Sequence, residues 1–77
     1  MRTEDDNIFI KKFGERVANI RKAQKLTKVQ LAFEINTSES NIRRIEKGQV
    51  NVGLSTIRKL SIALDVPLKE LLDFEID

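Results

Sequence analysis

Ser40, Arg43, Arg44 and Lys47 stand within three or four residues of one another, the spacing that gathers side chains on one face of an α-helix. That combination suits one kind of chemistry. An arginine fork can donate to guanine O6 and N7 together, and a serine hydroxyl can bond either a base or a phosphate. At about 100° per residue, Ile42 and Ile45 fall on the other side of the same helix and define its buried face. A surface helix with no polyanion to meet ordinarily mixes acids and bases, whereas this face holds three cations and a hydroxyl. Glu39 occupies the first helical position. It can accept a hydrogen bond from cytosine N4, or it can simply complement the helix N-terminus, worth about 0.3–1 kcal/mol. The second role is favoured, because a carboxylate near phosphates weakens binding.

Other chemistry is mostly excluded. The 77 residues contain no Cys and no His, which removes disulfides, thiolate zinc sites and imidazole catalysis. Asp73, Glu75 and Asp77 could in principle hold a hard cation, but acids near a chain end are ordinarily solvated. No pocket with a paired nucleophile and base is implied, so no enzyme, metal, cofactor or small-molecule ligand is expected. No apolar run approaches the roughly 20 residues of a transmembrane helix, and residues 1–6 lack the apolar core of a signal peptide. A cytoplasmic protein without membrane contact is expected. Net charge is +2, unevenly placed: −2 over residues 1–10, +8 over 11–59 and −4 over 60–77. A basic middle between acidic ends suits a polyanion, with a solvated helical surface as the plainer reading.

The elements that must carry these residues are helices. There is one Pro, three Gly and no sustained alternation of apolar and polar residues. Ile10, Phe13, Val17 and Ile20 mark a first helix over about 7–24, with Asp5, Asp6 or Asn7 as its cap. Gly14 inside it costs roughly 1 kcal/mol against Ala, which a close neighbour would explain. Thr27 and Gln30 form a capping box for a short second helix ending near Ile35, with Leu31 and Ala32 inward. Asn36 suits the left-handed geometry of a tight turn. Ser38 caps a third helix running to Lys47 and closed by Gly48. A fourth covers about 54–64, with Leu54, Ile57, Leu60 and Leu64 inward. Pro67 starts a fifth, from Leu68 to about Phe74. One domain fills the chain, with residues 1–6 as a flexible tail and 75–77 frayed. Two short helices joined by Asn36-Thr37-Ser38 make a helix-turn-helix candidate.

A longer pattern is more specific. It comprises Phe13-Gly14-Glu15-Arg16-Val17, Ile20-Arg21, Leu26-Thr27, Leu31-Ala32, Ser38, Ile42, Arg44-Ile45-Glu46-Lys47-Gly48, Asn51, Leu54, Leu60, Ala63-Leu64 and Leu71-Leu72. It resembles the phage-repressor and Cro-like helix-turn-helix family, which includes xenobiotic-response-element regulators and restriction–modification controller proteins. The resemblance covers residues 13–72. It implies an all-α, five-helix, lambda-repressor-like domain, usually a homodimer, with the third helix in the major groove. By position, Glu39, Ser40 and Arg44 match base-reading residues, and Arg43 joins them from the outward face. Lys28, Asn41 and the loop residues Gln49 and Asn51 match positions near phosphates, with Lys47 beside them. Arg21 and Glu46 match an ion pair between the first and third helices. Lys28 stands where the family prefers Gln, Asn36 where it prefers Gly, Val52 where Pro is frequent and Ile62 where a polar residue is usual.

The expected function is sequence-specific binding of double-stranded DNA by a homodimer on a roughly palindromic operator, regulating transcription. The competing reading is an antitoxin or adaptor of the same fold whose main role is to bind a partner protein. A core this small gains from dimerisation. Ile62, Phe74 and Ile76 are the expected shared apolar patch. Alternatively, Phe74 folds back to complete the monomer core and Ile62 is merely exposed; if the fourth helix is not the interface, Ile8 and Phe9 are the next surface to consider.

Overall fold

The computed structural model describes the backbone of residues 3–75 and the side chains of 6–75. It contains five helices: α1 (Thr3–Ala23), α2 (Lys28–Glu34), α3 (Glu39–Glu46), α4 (Leu54–Leu64) and α5 (Leu68–Leu71). Among the described residues there is no strand. With its 21 residues, α1 is about 31 Å long at 1.5 Å per residue. It therefore nearly spans the 34 Å long axis of the molecule and acts as its spine.

Local signals set the middle of the chain. Thr27 Oγ1 accepts from the Gln30 amide at 3.0 Å, and Gln30 Oε1 accepts from the Thr27 amide at 2.8 Å, so α2 starts on a complete capping box. Ser38 Oγ accepts from the Asn41 amide at 3.1 Å and starts α3. Between them Asn36 takes a φ of 58°, and the Thr37 amide closes back on Ala32 O at 2.9 Å. Gly48, with φ 72°, ends α3. A side chain there would also strike the Lys11 backbone: an added Cβ would lie 2.6 Å from its Cα.

The core draws on every helix: Phe13 and Val17; Leu31, Ala32 and Ile35; Ile42 and Ile45; Leu60 and Leu64; and Leu71. Gly14 lets α1 lie directly on α3. An added Cβ would run into the carbonyl oxygen of Ile45 and come within 2.8 Å of that of Glu46.

Three expectations fail at element ends. The first helix begins at Thr3, not Asn7, so residues 3–6 are helical rather than a tail, and Asp5, Asp6 and Asn7 lie inside the helix instead of capping it. Acidic residues in a first turn are favoured by the positive end of the helix dipole, which supports the extra turn. The fifth helix stops at Leu71, before Phe74. Phe74 leaves the helix to pack edge-on against Phe9, with ring centroids 5.2 Å apart. Leu54 is 85% exposed, not inward. It is the first residue of α4, and helical side chains lean toward the N-terminus, so it projects off the helix end. Ile57 is half-buried, and Leu60 and Leu64 complete the inward face.

Candidate nucleic-acid interface

The outer face of α3 is fixed from behind. Ile42 and Ile45 are buried, at 0% and 2% exposure, and turn the opposite side of the helix outward. Ser40, Arg44 and Lys47 are exposed on that side, and Arg43 is partly exposed. The beginning of α3 is held by its Ser38 cap. Its end is held by Arg21 of α1, whose Nε donates to Glu46 Oε2 at 2.7 Å and whose Nη2 donates to Oε1 at 3.2 Å. Arg21 Nη1 also donates to Leu26 O at 2.8 Å, which ties in the α1–α2 connection. The side chains of this pair are only 8% and 6% exposed. A two-point Arg–carboxylate contact constrains orientation as well as distance.

The residues expected near phosphates surround this face less uniformly. Lys28 is the first residue of α2 and is half-buried. Asn41 is half-buried too, and its Nδ2 donates to Thr37 Oγ1 at 2.9 Å. That bond commits one of the two Nδ2 donors of Asn41 to the turn and leaves the other for a phosphate oxygen. Lys47, Gln49 and Asn51 are exposed around the bend at the end of α3. Asn51 borders a shallow depression shared with Asp6, Phe9 and Ile10, so α1's acidic first turns approach the same loop.

A second ion pair lies within the outer face. Glu39 Oε1 is 3.5 Å from Arg43 Nη2, one helical turn along α3, with side chains 47% and 42% exposed. The i,i+4 spacing that announces such a pair is plain in the sequence. Thr37, the partner of Asn41, is announced in the sequence only by a hydroxyl four residues before an amide.

Of the apolar patch expected at one end of the chain, the two described members line different depressions. Ile62 is 63% exposed and lines a depression with Glu34, Lys59 and Ala63. Phe74 lies against α1. Ile76, and Asp77 of the candidate cation cluster, fall outside the described residues. Among the described residues no three acidic side chains gather where they could hold a metal. No described helix is long and apolar enough to cross a membrane.

The helix-turn-helix family matches residues 17–71, which covers the capped helix pair, the ion pair to α1 and all of α4 and α5. The chain belongs to this family. Control protein C.BamHI of Bacillus amyloliquefaciens is 43% identical over 63 residues, covering 80% of this chain and 78% of its own length. The immunity repressor protein of Bacillus phage phi105 is 39% identical over 62 residues, covering 80% of this chain and 43% of its own. The crystal structure of the restriction-modification controller protein C.AhdI from Aeromonas hydrophila superposes with a TM-score of 0.81 at 38% identity, covering 84% of this chain and 94% of that one. These helix-turn-helix relatives are controllers and repressors, so the chain belongs to a family of transcriptional regulators and not of enzymes. Within the helix-turn-helix architecture, the Phe9–Phe74 contact lies beyond the matched span at both ends.

Proposed function

We propose that the protein is a sequence-specific double-stranded-DNA-binding regulator of transcription that acts as a homodimer on a two-fold operator. The observation that carries this reading is the outer face of α3. Ser40, Arg43, Arg44 and Lys47 are turned outward on a helix locked at one end by a cap and at the other by a buried ion pair. A rigid helix with cations outward can enter a major groove and place them at base edges. In this reading Arg44, Arg43 and Ser40 face bases, with Glu39 beside them at the start of α3 and paired to Arg43. Lys28, Asn41, Lys47, Gln49 and Asn51 face the backbone.

Size supports the dimer. The two shorter axes of the molecule are 23 and 20 Å, less than one DNA turn of roughly 34 Å, so one copy covers one half-site. Two copies joined through α4, where Leu54 and Ile62 are left uncovered, would occupy successive major grooves. A two-fold contact of this kind makes the same patch meet itself. Binding-site selection from random DNA tests the reading, with an inverted repeat as the expected outcome. Ile62→Lys should then give a folded monomer with weakened operator binding. Wild type and Ile62→Lys with the same dimer constant in sedimentation would remove Ile62 from the interface.

The alternative, a domain of this fold whose main role is to bind a partner protein, draws on one observation. Val29 and Phe33, four residues apart on α2, are 58% and 81% exposed. Co-purification of a stoichiometric partner that Phe33→Ser abolishes would favour it.

A further inference from the structure

The Glu39–Arg43 pair poses a question that the DNA-reading proposal leaves open. Glu39 is the one acidic residue among the outward side chains of α3, because Glu46 is turned inward to Arg21. It sits at the helix N-terminus, the end of a recognition helix that contacts base edges. A carboxylate there works against attraction to phosphates. Complementing the helix dipole explains an acid at this position, but not its contact with Arg43 one turn later at 3.5 Å.

The geometry of the contact suggests its use. A single atom pair, Oε1 to Nη2, joins the two side chains, so Arg43 keeps Nε and Nη1 free of Glu39. Both side chains are close to half exposed, so the pair can exchange partners when something better approaches. A phosphate offers an arginine charge without sequence. A guanine offers two acceptors in one plane and only at the matching base pair. An arginine already neutralised by its own carboxylate gains less from the phosphate, and its position over the helix face keeps it near the groove.

Resting on the DNA-reading proposal, we propose that Glu39 is a specificity-determining residue that acts through Arg43. As an internal counterion it holds Arg43 away from phosphates on random sequence and over the base edges on the operator. Glu39 is thus a positioning residue, and its substitution changes the ratio of operator to random binding more than it changes the fold.

The test is a double-mutant cycle on DNA affinity across a salt series. Wild type, Glu39→Gln, Arg43→Ala and the double variant are each titrated with the selected operator and with a scrambled duplex. Glu39→Gln should tighten scrambled binding by about three- to tenfold at low salt and steepen its salt slope by about 0.9, the contribution of one added phosphate contact. The operator should gain less, so the specificity ratio falls. In the Arg43→Ala background, Glu39→Gln should leave that ratio unchanged. An equal gain on both duplexes overturns the proposal, because Glu39 then only repels DNA. A fall in the ratio that persists without Arg43 also overturns it, because Glu39 then reads a base itself. If wild type binds both duplexes equally, the DNA-reading proposal is what fails. Circular dichroism of all four proteins establishes that each is folded.

Discussion

Two arginine–glutamate pairs meet on α3, and they share little beyond their chemistry. Arg21–Glu46 joins two helices 25 positions apart through two hydrogen bonds, with side chains less than a tenth exposed. Arg43–Glu39 joins neighbouring turns of one helix through a single 3.5 Å contact, with side chains nearly half exposed. The buried pair is shielded from solvent on nearly all sides, so it anchors the helix. The exposed pair is screened by solvent and can trade partners. The same two residue types therefore hold the reading helix in one place and leave it adaptable in the other.

The largest expected effect comes from breaking the buried pair. Glu46→Gln leaves the Arg21 guanidinium buried without its counter-charge, and the loss should be roughly 3–5 kcal/mol. Against total stabilities of about 5–15 kcal/mol this is close to unfolding a small domain. Denaturant unfolding measures it, and a loss under about 1 kcal/mol would mean the pair behaves as if solvated. Replacing both partners, with Arg21→Met and Glu46→Leu, sharpens the point. An apolar pair should recover much of the loss, though not all of it, because Leu26 O would lose the Arg21 Nη1 donor.

Next in size is the contact that brings α1 and α3 close enough for that pair to form. Gly14→Ala gains about 1 kcal/mol of helix propensity, but the atoms its Cβ meets are backbone carbonyls of Ile45 and Glu46, which cannot swing aside. Overpacking of this kind should cost about 1–3 kcal/mol and outweigh the gain. For a domain of this size each kcal/mol lowers the melting temperature by about 4–8 °C, so thermal unfolding reads the sign directly. An unchanged or higher melting temperature would show that the helices can move apart.

The anchoring half of the comparison was more legible in the sequence than the adaptable half. Thr27, Ser38, Asn36 and Gly48 announce caps and turns through side-chain and backbone chemistry that acts within a few residues. Gly14 announced a close approach without saying to what. What stayed hidden depends on distant partners. Phe74 leaves its helix because Phe9, 65 positions earlier, offers a ring edge. Leu54 continues the apolar stripe of its helix, yet nothing overhangs that helix end. Lys25 and Asp65 adopt left-handed φ values of 60° and 55° where the chain must turn to close the core. The outward residues of α3 followed from the buried positions of Ile42 and Ile45, and the i,i+4 spacing of Glu39 and Arg43 allowed their pairing, but its single 3.5 Å contact depends on rotamers.

The adaptable face should show its effects in binding rather than in stability. Arg44→Ala should lower operator affinity by about 1–3 kcal/mol and relax one base position per half-site. Its effect on scrambled DNA should be smaller. Lys28→Ala should weaken both duplexes alike with a shallower salt dependence, the mark of a phosphate contact. Titrations on the two duplexes separate these patterns. Equal losses for Arg44→Ala on operator and scrambled DNA would move Arg44 from base reading to the backbone.

The smallest expected effect completes the contrast with Glu46. Glu39→Gln removes the charge from an i,i+4 pair whose side chains are 47% and 42% exposed. Such pairs contribute about 0.3–0.5 kcal/mol, reduced further by salt. The carboxylate also sits at the positive end of α3, which adds about 0.3–1 kcal/mol at low ionic strength and less as salt rises. The expected loss of stability at physiological salt is therefore about 1 kcal/mol or less. Glutamine keeps the side-chain length, so no packing is lost. Denaturant unfolding at two salt concentrations checks both parts, because a purely electrostatic loss shrinks as salt is added. A loss of more than about 1.5 kcal/mol that ignores salt would make the pair an anchor like Arg21–Glu46. Arg43 would then not be free to exchange its carboxylate for a base.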